Sequence, residues 1–113
     1  MAYVTKVKDP NARLDYRWPW NEDEDGNVGK GWLMPGASII DATFLVFDDK
    51  GNEIDIDVDL NPLMVDDFSN TPTDATAWLV NGTLDKDYLV VCHVTDDGGR
   101  EDDWTLKVRV RSK

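Results

Sequence analysis

At 113 residues with 41% hydrophobic side chains, the chain is one domain, long enough to bury a core unaided, and its single Cys92 excludes an internal disulfide framework. Against 12 basic residues stand 23 acidic ones, a formal net charge of −11 that repels phosphate backbones and argues against nucleic-acid binding. No apolar run approaches the length of a membrane span, and Met1-Ala2-Tyr3-Val4-Thr5-Lys6 lacks the apolar segment of a signal peptide, so a soluble chain made in a cytoplasm is expected.

Residues 1–13 are polar and contain the turn signal Asp9-Pro10-Asn11, which reads as an N-terminal arm or a short edge strand ahead of a single domain over 14–113. Leu14-Asp15-Tyr16-Arg17-Trp18-Pro19-Trp20 alternates, with Leu14, Tyr16, Trp18 and Trp20 on one side. Pro19 has no amide donor, so this strand belongs at a sheet edge or ends there. Residues 21–31 form an acidic, glycine-containing loop before Trp32-Leu33 returns to the core. Asn21-Glu22-Asp23-Glu24-Asp25-Gly26 opens like a calcium-binding EF-hand loop, with oxygen donors at alternate positions followed by glycine. The match then fails, because Asn stands first where Asp belongs and Trp32 occupies the position of the bidentate Glu. A solvated acidic loop is the simpler reading, and neither a metal nor a cofactor is expected.

The β-branched and aromatic run from Ser38 through Phe47 predicts a long strand, and Asp48-Asp49-Lys50-Gly51-Asn52 a hairpin loop. Glu53-Ile54-Asp55-Ile56-Asp57-Val58-Asp59 alternates perfectly and predicts a further strand, with Asp55, Asp57 and Asp59 in a carboxylate row on one face. Over 60–74 the pattern weakens around Pro62 and Pro72, leaving a loop with one short strand near Met64 to Phe68. Strand character resumes at Ala75–Val80, and a turn at Asn81-Gly82-Thr83 leads to the apolar run Tyr88-Leu89-Val90-Val91-Cys92-His93-Val94. Asp96-Asp97-Gly98-Gly99 reverses the chain into a last strand. There Trp104, Leu106, Val108 and Val110 face one way, and Thr105, Lys107, Arg109 and Arg111 the other. Six to seven short strands without helical periodicity predict an all-β, antiparallel β-sandwich.

Catalysis finds little support. His93 directly follows Cys92, and neighbours on a strand point to opposite faces, so the two cannot form a dyad. There is no glycine-rich phosphate cradle, zinc spacing or nucleophile elbow, and a non-enzymatic protein is expected. Cys92, inside an apolar strand, reads as a buried thiol. More informative is the basic row Lys107, Arg109 and Arg111 on an otherwise acidic domain. If it lies beside the Asp55, Asp57 and Asp59 row, the two pair across the sheet for about 0.2–1 kcal/mol per pair; otherwise each row is a docking stripe. Five tryptophans are generous for one small core. Trp20 and Trp32, flanking the acidic loop, are the candidates for partly exposed interface anchors.

Lys8-Asp9-Pro10, then Leu14-Asp15-Tyr16 with Trp18 and Trp20, then Trp32-Leu33, resembles the start of the phage fibre–tail adaptor proteins, a family of small tailed-bacteriophage proteins. The closing third is similar to that family's signature: Ala75-Thr76-Ala77-Trp78-Leu79, Gly82-Thr83, Tyr88, Val94-Thr95, Gly99-Arg100 and Leu106-Lys107-Val108-Arg109-Val110. The resemblance runs from about Lys8 to the end of the chain. It departs in the acidic insertion at 22–26, the charged hairpin at 48–59 and the longer segment at 60–73.

The resemblance implies an immunoglobulin-like β-sandwich without catalytic residues or cofactor, a structural virion component present in multiple copies. Its expected role is an adaptor joining tail fibres or spikes to the tail, made in the host cytoplasm and located in the virion. Expected partners are other phage structural proteins of tail, fibre or capsid, with no nucleic acid and no membrane. The candidate interface comprises Trp20, Trp32, Lys107, Arg109, Arg111, Asp55, Asp57 and Asp59. Two alternatives stand beside this role: a capsid decoration (cement) protein, and a glycan-binding immunoglobulin-like module that stacks sugars on exposed tryptophans.

Overall fold

Side chains that alternate in character suit a sheet with one dry face and one wet face, and the computed structural model, which describes residues 4–22 and 31–112, is built from such sheets. Its strands are β1 (Val4–Lys8), β2 (Leu14–Trp18), β3 (Ile39–Asp48), β4 (Met64–Asn70), β5 (Ala75–Val80), β6 (Asp87–Asp96) and β7 (Glu101–Val110). They form a four-stranded sheet in the order β1-β7-β6-β3 and a three-stranded sheet in the order β2-β5-β4. All pairings are antiparallel except β1 with β7, which run parallel from Val4 opposite Leu106 to Lys8 opposite Val110.

The arrangement is that of an immunoglobulin-like sandwich, with β2, β5 and β4 in the places of strands B, E and D, and β3, β6 and β7 in those of C, F and G. One local device supports the assignment. Tyr88, at the start of β6, accepts a hydrogen bond at its hydroxyl from the amide of Thr83 at 3.0 Å. That link back across the turn before strand F is a tyrosine corner.

Two faces close on one core. The three-stranded sheet contributes Trp18, Ala75, Ala77 and Leu79, and the four-stranded sheet Ala42, Val90, Cys92, Val94, Leu106, Val108 and Val110. The alanines of β5 make room for aromatic rings, since Ala77 stands in register between Tyr16 of β2 and Phe68 of β4. Phe44 of β3 reaches over to that side, its ring centroid 5.3 Å from Trp18 and 5.6 Å from Phe68. At one end Trp20 meets Trp32 and Trp104 in edge-on contacts, each at 5.3 Å between centroids. Edge-to-face pairs of this kind contribute about 0.5–1.5 kcal/mol beyond their burial.

β2 stops at Trp18, one residue before Pro19, and is an edge strand of its sheet. β7 begins three residues before Trp104, at Glu101, because Glu101, Asp102 and Asp103 pair with Thr95, Val94 and His93 of β6. The expected strand over 53–59 is absent. After a single bridge between Phe47 and Glu53 the chain leaves β3 and turns, with the amides of Val58 and Asp59 donating to the carbonyl of Asp55 at 3.1 and 2.8 Å. The Asp55 carboxylate also accepts from the amide of Asp57 at 2.9 Å. Aspartate competes with the sheet ladder through such local bonds, and the alternation of Asp with Ile and Val masked that preference.

Candidate docking surfaces

One end of the sandwich is formed by the segment 49–63 and the turn before β6. Asp59 anchors it. Its carboxylate is 6% exposed and accepts hydrogen bonds from the hydroxyls of Thr83 and Tyr88, with Lys86 Nζ at 4.0 Å. Burial works to raise the pKa of Asp59, but the bonds from Thr83, Tyr88 and the amide of Asn61, with Lys86 nearby, outweigh it and hold the carboxyl below its usual range. The Tyr88 phenol is pushed up, first by burial and then by its bond to Asp59.

The turn is fixed from below as well. Gly82 adopts φ 106°, and its amide donates to the carbonyl of Asn61 at 3.1 Å. A β-carbon there would lie 2.7 Å from Val110 Cγ2, so only glycine lets the turn settle on β7. Lys8 is fully buried yet satisfied, donating to the carbonyl of Asn81 at 2.7 Å and to its neighbour Asp9 at 2.9 Å. Desolvation lowers its pKa against the pull of Asp9.

Above this rigid base the loop displays apolar side chains. Ile56, Val58 and Leu60 are 69, 73 and 82% exposed, and Leu84 of the facing turn is 47% exposed. Between loop and turn runs a cleft of about 480 Å³ whose rim carries Asp48, Asp49, Glu53, Asp55, Asp85 and Asp87 against Lys50 and Lys86. Apolar side chains held out by a pinned backbone next to a charged cleft, which Val58 itself lines, are the arrangement of a protein-docking surface.

The expected charge rows do not meet. Asp55 and Asp57 are exposed in the turn and Asp59 is buried, so they form no row on one strand face. Lys107 and Arg109 do share the outer face of β7, and with Arg111, one residue past its end, they converge on Asp87 of β6 at 3.6, 3.7 and 2.9 Å. Trp20 is 3% exposed and lies in the core. Trp32 is half-buried against it, with the Arg100 guanidinium 4.5 Å above its ring. The residues that sequence reasoning passed over are Ile56, Val58, Leu60 and Leu84, together with the Asp59–Tyr88–Thr83 lock. Their signal was available: aspartates at every second position of a short apolar run favour Asx turns as much as a strand.

Of the acidic loop, Asp23 to Lys30 fall outside the described residues, and the calcium-loop comparison lies there with them. Among the described residues no group of three or more His, Cys, Asp or Glu side chains is placed to hold a metal ion.

A family model described as podophage GP4 fiber-tail adaptor protein gp77 matches residues 8–109. No curated protein matches the chain.

Proposed function

The chain belongs to the podophage GP4 fiber-tail adaptor family, and from that premise we propose that it is a structural component of the virion that joins fibres or spikes to the tail. Membership supports a tail-adaptor role and contact with other tail proteins, and it favours docking over catalysis. The observation that carries the mechanism is the pinned loop. Asp59 is bonded to Tyr88 and Thr83, so Ile56, Val58 and Leu60 are presented on a backbone already ordered. A preformed surface spares the partner the entropy of ordering it.

The charge of the adjoining cleft, which Val58 lines, specifies the partner's chemistry. The rim of the cleft holds more carboxylates than lysines, so it fits a surface with apolar anchors flanked by Lys or Arg. The alternatives gain nothing comparable. A sugar-stacking role needs bare indole faces, yet Arg100 covers one face of Trp32 and Arg13 lies 4.4 Å over the ring of Trp78. Capsid decoration has no supporting observation.

The test is fibre attachment by particles assembled with Ile56→Asp/Leu60→Asp in place of the native chain. The isolated variant should keep its circular dichroism spectrum, since both side chains are more than two-thirds exposed, while particles lose fibres or fail to retain the adaptor. Full fibre occupancy with the variant present at native level would contradict the reading.

A further inference from the structure

The outer face of the four-stranded sheet has poles of opposite sign. On β7 and β6 the register places Glu101 and Asp103 beside Thr95 and His93 at one end, and Arg109 beside Asp87 at the other. Neither pole is balanced internally. At the acidic end a single imidazole, His93, is shared by Asp103 at 2.6 Å and Glu101 at 3.0 Å. At the basic end one carboxylate, Asp87, is shared by Lys107, Arg109 and Arg111, with Asp85 reaching Arg111 only at 4.0 Å. Between the poles the face is apolar on β6 and β3, where Leu45 is 59% exposed beside half-buried Val91.

These positions are symmetric about one row. Val46, Val90 and Leu106 lie side by side across β3, β6 and β7. A two-fold axis lying over that row, in the plane of the face and across the strands, lays each strand of a second copy antiparallel over its own counterpart. Residues equally far from the row on either side then meet. Asp103 meets Arg109 of the second copy, and Glu101 meets Arg111. On β6, His93 meets Asp87 and Val91 meets Leu89. On β3, Leu45 meets Phe47. Every charged pair so formed is of opposite sign if His93 is protonated; the central pairs on β6 and β3 are apolar, and on β7 Lys107 meets Thr105. Sheets packed face to face rotate by about 30°, which displaces the pairs at the sheet edges more than those on the central strands β6 and β7.

We propose that this face pairs two copies of the chain through a two-fold contact, the acidic pole of each on the basic pole of the other. Opposite poles meeting at close range answer the difficulty that a chain of net charge −11 repels its own copies. The contact uses a different surface from the 49–63 loop, so it stands or falls independently of the fibre–tail reading.

The test is sedimentation of the full chain over a range of concentrations at low and high salt. The native chain should approach twice the monomer mass as concentration rises, and salt should weaken the association, because charges at a solvated rim are screened. Arg109→Glu/Arg111→Glu should weaken it by at least about tenfold, as should Glu101→Lys/Asp103→Lys, since each puts like charges face to face. Mixing the two variants should restore a species of twice the monomer mass, because each then meets its opposite. A native chain that stays monomeric at every concentration, or variants that self-associate as the native chain does, would overturn the proposal. So would a mixture that stays monomeric while both variants keep their folded spectra.

Discussion

Tyr88 donates its phenolic proton to Oδ2 of Asp59, a carboxylate 29 residues earlier in the chain and 6% exposed. That bond ties the loop after β3 to the start of β6, and it makes the tyrosine corner a three-way junction with Thr83.

Removing the phenol should cost more than an ordinary surface change. Tyr88→Phe leaves a buried carboxylate short of a donor, and hydrogen bonds to charged groups contribute about 1.5–3 kcal/mol. The midpoint of urea unfolding should fall accordingly. Asp59→Ala should cost at least as much, since it strands both hydroxyls, and an unchanged midpoint in both variants would contradict the junction.

The same carboxylate sets an acid limit. Its folded pKa lies below the unfolded value of about 3.9, so its contribution is complete above that value and is lost as pH falls through the folded one. Asp59→Asn should therefore flatten the acid limb of stability against pH, measured by thermal melts between about pH 5 and pH 2.

His93 acts in the other direction. Bonds to Glu101 and then Asp103 raise its pKa, so its contribution is full below the unfolded value of about 6.5 and disappears as pH rises through the higher folded value. His93→Gln should melt below the native chain at about pH 5.5 and match it at about pH 9. The effect should be small, because the ring is 39% exposed.

Gly82 should tolerate no side chain. With φ 106° and Val110 Cγ2 2.7 Å from a β-carbon, Gly82→Ala strains the backbone and pushes on the core strand at once. A loss of about 1–3 kcal/mol is expected in the same urea titration. Gly36, with open space around its β-carbon position, offers a control in which only the φ of 85° is penalised.

Cys92 is fully buried, and burial, with the Asp103 charge adding to it and Trp20 opposing, pushes its thiol up to about 12. Thiol reagents at neutral pH should label the native chain only as fast as it unfolds and the urea-unfolded chain at once. Rapid native labelling would place the thiol outside the core.

How much of this was legible in the sequence differs by segment. The strands from Ala75 onward were readable because their inward and outward residues differ in kind: Leu106, Val108 and Val110 pack while Lys107 and Arg109 are wetted. The segment 53–59 carried an equally regular alternation and folded otherwise. Alternation reports which residues differ, not whether a neighbouring strand is there to pair with, and beyond Glu53 this segment pairs with no strand. Asp59 was the deciding residue. Its carboxylate finds two hydroxyl donors that lie far along the chain, a long-range contact no local pattern displays. The basic row was correctly placed on one face of β7, but its acidic partner is Asp87, directly across the sheet from Arg109, and not the 55–59 carboxylates.

The most direct measurement is a cryo-electron-microscopy map of the assembled particle with this chain located in it. The chain should lie where fibre meets tail, with Ile56, Val58 and Leu60 buried against a surface that supplies Lys or Arg around apolar anchors. Density for the chain on the capsid lattice, or at the junction with that loop facing solvent, would contradict the docking role.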